Sequence, residues 1–190
     1  MAVGNLTKGH FLQFHNNSAD VKQFVFQFNP ETLNREKVFN TRTGQSSEQI
    51  KFRLIFDAST LFEQNNPLAE LSILPFISAL ELLINQQQSD TPQGFIARIR
   101  RPKLQTFIGF SWGKRVFPVM INKMTILEPL FSPQLNPIYT KIDLVLSVLT
   151  IQQLKHNKQA VKLYYDFQNS LNSEASKVFS SLPCVDICLR

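Results

Sequence analysis

The sequence predicts an α+β fold: a mainly antiparallel β-barrel or sandwich flanked by one central helix and followed by a helical tail. Three observations predict it. Apolar residues alternate with period two in several separate stretches, and the clearest is "IKFRLIFDA", residues 50–58. These runs lie on both sides of a single helical stretch, so strands and helix are segregated and not interleaved as βαβ units. After Gln153 the pattern becomes helical and stays so almost to the end. A chain of 190 residues suits one domain with an appendage, divided here into a β-domain at 1–153 and a helical extension at 154–190.

The elements follow in order. Met1 to His10 is polar, and His10 and His15 are read as part of a polar, mobile N-terminal region. "FVFQF" predicts a strand with Phe24, Phe26 and Phe28 on one face. Asn29-Pro30 stops it, because proline has no amide donor and pushes the preceding residue to extended geometry. "NREKVFNTRT" resumes as a second strand with a wetter face, and "TGQSSEQ" reads as a loop. The next strand places Ile50, Phe52, Leu54 and Phe56 on one side and ends at Asp57. Leu68, Leu71, Leu74, Leu80 and Leu83 mark a helical face that Pro75 interrupts, giving a short first piece and a firmer helix from Pro75 to Asn85.

Strands then return. "KLQTFIGFSW" carries Leu104, Phe107, Ile108, Phe110 and Trp112, and Gly113-Lys114 fits a tight hairpin turn. "RVFPVMINKMTILEPLF" is a long strand with Pro118 at an edge or bulge, and "SPQLNP" is a second turn. In the last strand Ile142, Leu144, Leu146 and Val148 alternate with Asp143, Val145, Ser147 and Leu149. Both faces become apolar near its end, which predicts burial on both sides or against a neighbouring subunit. The tail, with Val161, Tyr164, Tyr165, Phe167 and Leu171, reads as one or two helices with a hinge near Asn169 to Ser173.

Composition narrows the function. Hydrophobic residues at 43% and charged residues at 18% exclude a disordered chain. The 17 phenylalanines, against 3 tyrosines and 1 tryptophan, require a large apolar core or buried contacts with a partner. Net charge is +6 and the pI about 9.5, which admits an acidic protein, anionic lipid or nucleic acid as partner without choosing among them. Cys184 and Cys188 are too few for a disulfide framework or a four-ligand zinc site. No signal peptide and no apolar run of roughly 20 residues is visible, so the chain is read as soluble and synthesised in the cytoplasm.

Catalytic material is thin. His10, His15 and His156 stand in no metal-binding spacing, and there is no G-x-S-x-G elbow or P-loop. Glu31, Glu36, Asp57, Glu81 and Glu128 show no spacing that sets them apart from surface charges. No cofactor, metal or small-molecule substrate is expected, and an enzyme is not the reading adopted. The sharpest basic cluster is Arg98, Arg100, Arg101 and Lys103. It reads as a solvated edge or as an electrostatic contact with an acidic protein surface, and aromatic interleaving of the kind that binds nucleic acid is weak around it.

Phe28-Asn29-Pro30-Glu31, the strand Phe52 to Asp57, the central helix, Trp112-Gly113 and Phe131-Ser132-Pro133 stand in one order between Val21 and Gln152. This arrangement resembles the tube-type domain of contractile injection system proteins, which are similar to phage tail-tube and baseplate-hub proteins. The resemblance implies a tail-tube type barrel or sandwich that packs as a hexamer, a six-fold ring around a channel, with no catalytic residues. One branch of the family joins the inner tube to the spike and commonly carries a LysM domain next. No LysM pattern follows here.

The expected function is therefore a structural ring in the baseplate of such a particle, joining inner tube to spike. Its expected partners are copies of itself, the tube protein, the spike protein and baseplate neighbours. The particle would be free, membrane-anchored or released. A repeated inner-tube subunit is the alternative within the family, and a basic nucleic-acid-binding β-barrel is the alternative outside it. Asn29, Pro30, Trp112 and Gly113 are expected as structural turns, and Arg98 to Lys103 as the stacking surface.

Overall fold

The computed structural model describes residues 6–15, 21–42, 44–63, 73–87, 106–155 and 157–181. Among these residues seven strands form one antiparallel sheet. They are β1 (His10–His15), β2 (Val21–Val25), β3 (Leu33–Asn40), β4 (Gln45–Asp57), β5 (Thr106–Trp112), β6 (Arg115–Phe131) and β7 (Pro137–Val148). Their order across the sheet is β2-β1-β5-β6-β7-β4-β3. Among the described residues four helices accompany them: α1 (Ala58–Glu63), α2 (Leu74–Gln87), α3 (Ile151–Leu154) and α4 (Lys158–Ser181). The α+β composition and antiparallel sheet match the expected class at that level. The sheet is open, however, because β2 and β3 are its two edges and do not pair.

The sheet curls so that its two halves face each other. Phe52 on β4 stacks on Phe110 of β5 at 5.1 Å and meets Phe11 of β1 at 6.4 Å, although two or more strands separate them in the order. Phe26, just beyond β2, completes this cluster at 5.1 Å from Phe11 and 5.9 Å from Phe52. Rings that meet edge-on or offset add to the apolar burial that holds the curl. Ile50, Leu54, Phe56, Ile142, Leu144 and Leu146 fill the rest of the interior, on the faces their alternation assigned them.

α2 covers the interior with Ile77, Leu80 and Leu83, and Phe76 stacks on Phe56 at 5.6 Å. Its last residue, Gln87, acts as a piece of strand. The amide nitrogen donates to the Val119 carbonyl and the amide oxygen accepts from the Ile121 N–H. The β5 ladder on β6 reaches only to Val119, so Gln87 satisfies backbone groups that would otherwise be buried without partners. α2 starts one residue before the expected Pro75 and keeps that proline in its first turn. Leu74 is exposed, and Leu68 and Leu71 lie outside the described residues.

Several expectations are corrected. The N-terminal region holds strand β1, which pairs with both β2 and β5. Its Phe11 and Gln13 point inward, and the buried Gln13 amide donates to Gln86 of α2. The strand expected through Phe28 ends at Val25, since after Phe26, whose N–H still reaches the Gly9 carbonyl, the chain bends and leaves Phe28 exposed. The "TGQSSEQ" loop is mostly strand. Gly44 at φ 65° makes the turn, with its N–H on the Asn40 carbonyl, and β4 starts at Gln45. The hinge expected at Asn169 to Ser173 is absent, because α4 runs unbroken through it.

The β5–β6 hairpin is as expected, with Trp112 paired to Arg115 and Gly113 at φ 61°. A positive φ at the first loop position suits the II′ turn. Pro118, expected at an edge or bulge, lies instead on a central strand in register with Gly109, and it sits just before the β7 ladder begins at Val119, so that ladder loses no donor. The division expected at 153/154 falls within α3. Beyond it α4 packs Phe167 on Phe117 at 4.8 Å, and Leu163 lies against Gly109 of β5.

Candidate functional site

Side chains of the segment after β2 extend the backbone pairing beyond the strands. The Gln27 amide donates to the Asp57 carbonyl at 2.7 Å and accepts the Asp57 N–H at 2.9 Å, imitating a strand pair. Asn29 does the same for the N-terminal segment. Its Oδ1 accepts the Gly9 N–H at 2.8 Å and its Nδ2 donates to the Thr7 carbonyl at 3.0 Å. A Cβ on Gly9 would stand 2.8 Å from the Trp112 ring. Two of the turn residues singled out in the sequence, Asn29 and Trp112, therefore meet across Gly9, while Pro30 is buried and Gly113 is exposed.

With Gln27 and Asn29 fixed, the 28–32 loop stands over the outer face of β4 and β7. Between loop and sheet runs an open groove of about 800 Å³. Phe28, Pro30, Ile55, Tyr139 and Val145 give it apolar surface. Arg53 and Asp143, directly opposite in the β4–β7 register, form a two-bond ion pair along it at 2.7 and 2.9 Å. The hydrogen bond from Arg53 holds the Asp143 carboxyl below its usual range, with partial desolvation opposing, and the same bond holds Arg53 above its own. Lys51, also at the groove, reaches Glu36 at 3.3 Å. These cations are engaged by carboxylates of the same chain.

A second charged group points inward at the β3 edge. Glu48, only 8% exposed, is held by Arg35 and by Lys37, and the Arg35 guanidinium lies 4.8 Å from the Phe117 ring centroid.

The β6–β7 hairpin ends in an exposed apolar tip. The β4 ladder on β7 stops at Asp57–Tyr139, and the hairpin continues beyond it through Leu130, Phe131 and the 132–136 turn. The Ser132 N–H donates to the Asn136 carbonyl, the Leu135 N–H donates to the Ser132 carbonyl, and the Ser132 hydroxyl accepts from the N–H groups of Gln134 and Asn136. Leu135 has φ 62°, and it is 79% exposed. A left-handed leucine costs roughly 1–2 kcal/mol relative to an ordinary backbone conformation.

Arg98, Arg100, Arg101 and Lys103 lie outside the described residues, as do His156, Cys184 and Cys188. His10 lies on β1 with its Nδ1 3.2 Å from the Lys8 carbonyl. Among the described residues no group of three or more His, Cys, Asp or Glu side chains is arranged to hold a metal, and no helix is long and apolar enough to cross a membrane. The groove escaped the sequence reading because its wall and floor come from segments far apart, with Arg53 and Asp143 separated by 90 positions.

Fold and site together define a class: a curled, open antiparallel sheet plugged by a helix, with a groove crossed by the Arg53–Asp143 ion pair and an apolar tip. No family model matches the chain, and no curated protein matches it.

Proposed function

We propose that this chain is a non-enzymatic structural component of a contractile injection system, forming a ring in the baseplate that joins the inner tube to the spike. The observation that carries the reading is the open, apolar-edged sheet. β3 exposes Val38 and Phe39 along one edge, and the hairpin tip exposes Leu130, Phe131 and Leu135. Exposed strand edges and clustered apolar side chains call for protein neighbours. A closed ring supplies them, since each copy covers the next. The order of the Asn29-Pro30, Phe52 to Asp57, Trp112-Gly113 and Phe131-Ser132-Pro133 segments supports the same reading through its resemblance to tube-type domains. Arg98, Arg100, Arg101 and Lys103 are the proposed stacking surface, and reversal of Arg98, Arg100 and Arg101 to glutamate is expected to block particle assembly without unfolding the chain. Normal assembly by that variant would end their part in it.

The test is a tagged pull-down from the native cell with quantitative mass spectrometry. Sheath, tube and spike proteins are expected, with this chain far scarcer than the tube protein. Parity with the tube protein would make it a repeated tube subunit. Recovery of nucleic acid without tube or sheath would replace the reading with a nucleic-acid-binding one.

A further inference from the structure

We propose that the tip of the β6–β7 hairpin, led by Leu135, inserts into the boundary between headgroups and acyl chains of a lipid bilayer. The inference is separate from the ring reading above: it assigns the tip to lipid and leaves the exposed β3 edge to protein neighbours.

The tip stands clear of the rest of the sheet. The β4 ladder on β7 ends at Asp57–Tyr139 and the β5 ladder on β6 ends at Val119, so no described strand flanks the hairpin around Phe131 and the 132–136 turn. What it presents is apolar. Leu130, Phe131 and Leu135 are 53%, 45% and 79% exposed, and from Pro129 to Thr140 no residue carries a charge. Leu135 stands there at φ 62°, a backbone conformation that glycine or asparagine adopts more easily.

The backbone of the turn is also suited to an apolar medium. A loop entering lipid is opposed by N–H groups that lose water and gain no partner. From Ser132 to Pro137 none is left free. The Ser132 N–H donates to the Asn136 carbonyl, the Leu135 N–H to the Ser132 carbonyl, and the Gln134 and Asn136 N–H groups to the Ser132 hydroxyl. Pro133 and Pro137 have no N–H to satisfy. The carboxamides of Gln134 and Asn136, on either side of Leu135, keep the tip at headgroup depth. The first flanking charges are Glu128 and Lys141, one of each sign. The Lys141 ammonium lies 5.6 Å from the Tyr139 ring centroid, and tyrosine and lysine are residues that anchor a segment where headgroups meet acyl chains.

The amount of surface selects a bilayer over a protein. Leu130, Phe131 and Leu135 each offer on the order of 100 Å² of apolar area, far short together of the about 800 Å² that each partner gives to a stable protein interface. A bilayer sets no such threshold. Partitioning grows with each apolar group buried, and a single acyl chain already gives reversible binding. Because the flanking charges balance, burial of these side chains and not attraction to anionic headgroups is the source of affinity.

The experiment mixes the full chain with vesicles of phosphatidylcholine alone and separates bound from free by flotation. The wild type is expected to float with the vesicles, and to stay with them when salt is raised from about 0.1 to about 1 M, which screens surface charge. Leu135→Gly relieves the positive φ, so its urea midpoint is expected to stay the same or rise while partitioning falls at least about tenfold. Failure of the wild type to float, release by salt, or unchanged binding by Leu135→Gly would each overturn the proposal. A second arm places an environment-sensitive dye on full-chain Leu135→Cys carrying Cys184→Ser and Cys188→Ser. Its emission is expected to shift to the blue on vesicles, while the same dye on Lys114→Cys, in the turn at the far end of β6, does not shift. Equal shifts at the two positions would overturn insertion by the tip. Self-association that Leu135→Gly abolishes, without flotation of the wild type, would give the tip to a protein neighbour instead.

Discussion

At the scale of single residues, Asn29 does more than end a strand. It supplies both a donor and an acceptor to backbone groups of the 7–9 segment, and so anchors the chain that leads into β1. Asn29→Ala leaves the Gly9 N–H and Thr7 carbonyl without these partners and is expected to cost about 1–3 kcal/mol in urea unfolding. Asn29→Asp keeps the acceptor for Gly9 and should recover part of that loss. Recovery to wild type by Asp would show the Thr7 bond to contribute nothing. The Arg53–Asp143 pair is a different case, because both side chains are about half exposed and water screens them. Asp143 is depressed in the folded chain, so its contribution is present above the usual carboxylate value of about 3.9 and fades as pH falls through the lower folded value. The stability gap between wild type and Asp143→Asn is expected to be small at neutral pH and to narrow further as urea unfolding is repeated down to about pH 3. A gap that widens in acid would mean that the carboxylate is not stabilised by Arg53.

At the scale of elements, α4 divides into two halves with different duties. Phe167 belongs to the same core as Phe52 and Phe117 and is 4% exposed, while Phe179 is 74% exposed. Phe167→Ala should therefore cost about 3–5 kcal/mol. Phe179→Ala should change unfolding by less than about 0.5 kcal/mol. Equal costs would place the distal half on the sheet as well. The helix pattern of the tail was legible, as were the core of β4 from Ile50, β7 and the Trp112 hairpin, because the apolar residues of β4 and β7 recur with period two and Gly113-Lys114 marks the turn. β1 was not legible, since its inward positions alternate Phe11 with Gln13 and only the Gln86 amide explains that burial. The strand-like role of Gln87, the Gln27 clasp on Asp57 and the bulges of β6 also carry no local signal. Each depends on which backbone groups are left without a ladder partner, and that is settled by the curl of the sheet. The left-handed Leu135 was hidden for a related reason: "SPQLNP" announces a turn but not which of its residues takes the positive φ.

At the scale of the whole molecule, the question is whether sheet and tail are one folding unit or two. The sequence suggests a seam near residue 153, where strand periodicity gives way to helix. The packing argues for one unit. Leu154, at the end of α3, and Ala160, in the first turn of α4, share a buried cluster with Phe107 and Leu149, and Phe167 enters the main core beside Phe117. The Asn157 carboxamide accepts the Ala160 N–H, fixing the start of α4 against that cluster. A tail bound this way cannot detach without exposing rings that also hold β5 and β6, and shared burial makes unfolding cooperative. Trp112 reports on the sheet, because it packs on Phe110 in the interior and on Gly9. Far-UV circular dichroism reports mainly on the helices, of which α4 with 24 residues is the longest described. Urea titrations followed by the two signals are expected to coincide in midpoint and slope. If the dichroism changes at lower urea than the tryptophan emission, α4 melts first, the boundary at 153/154 is a domain boundary, and the core would have to survive the exposure of Phe117.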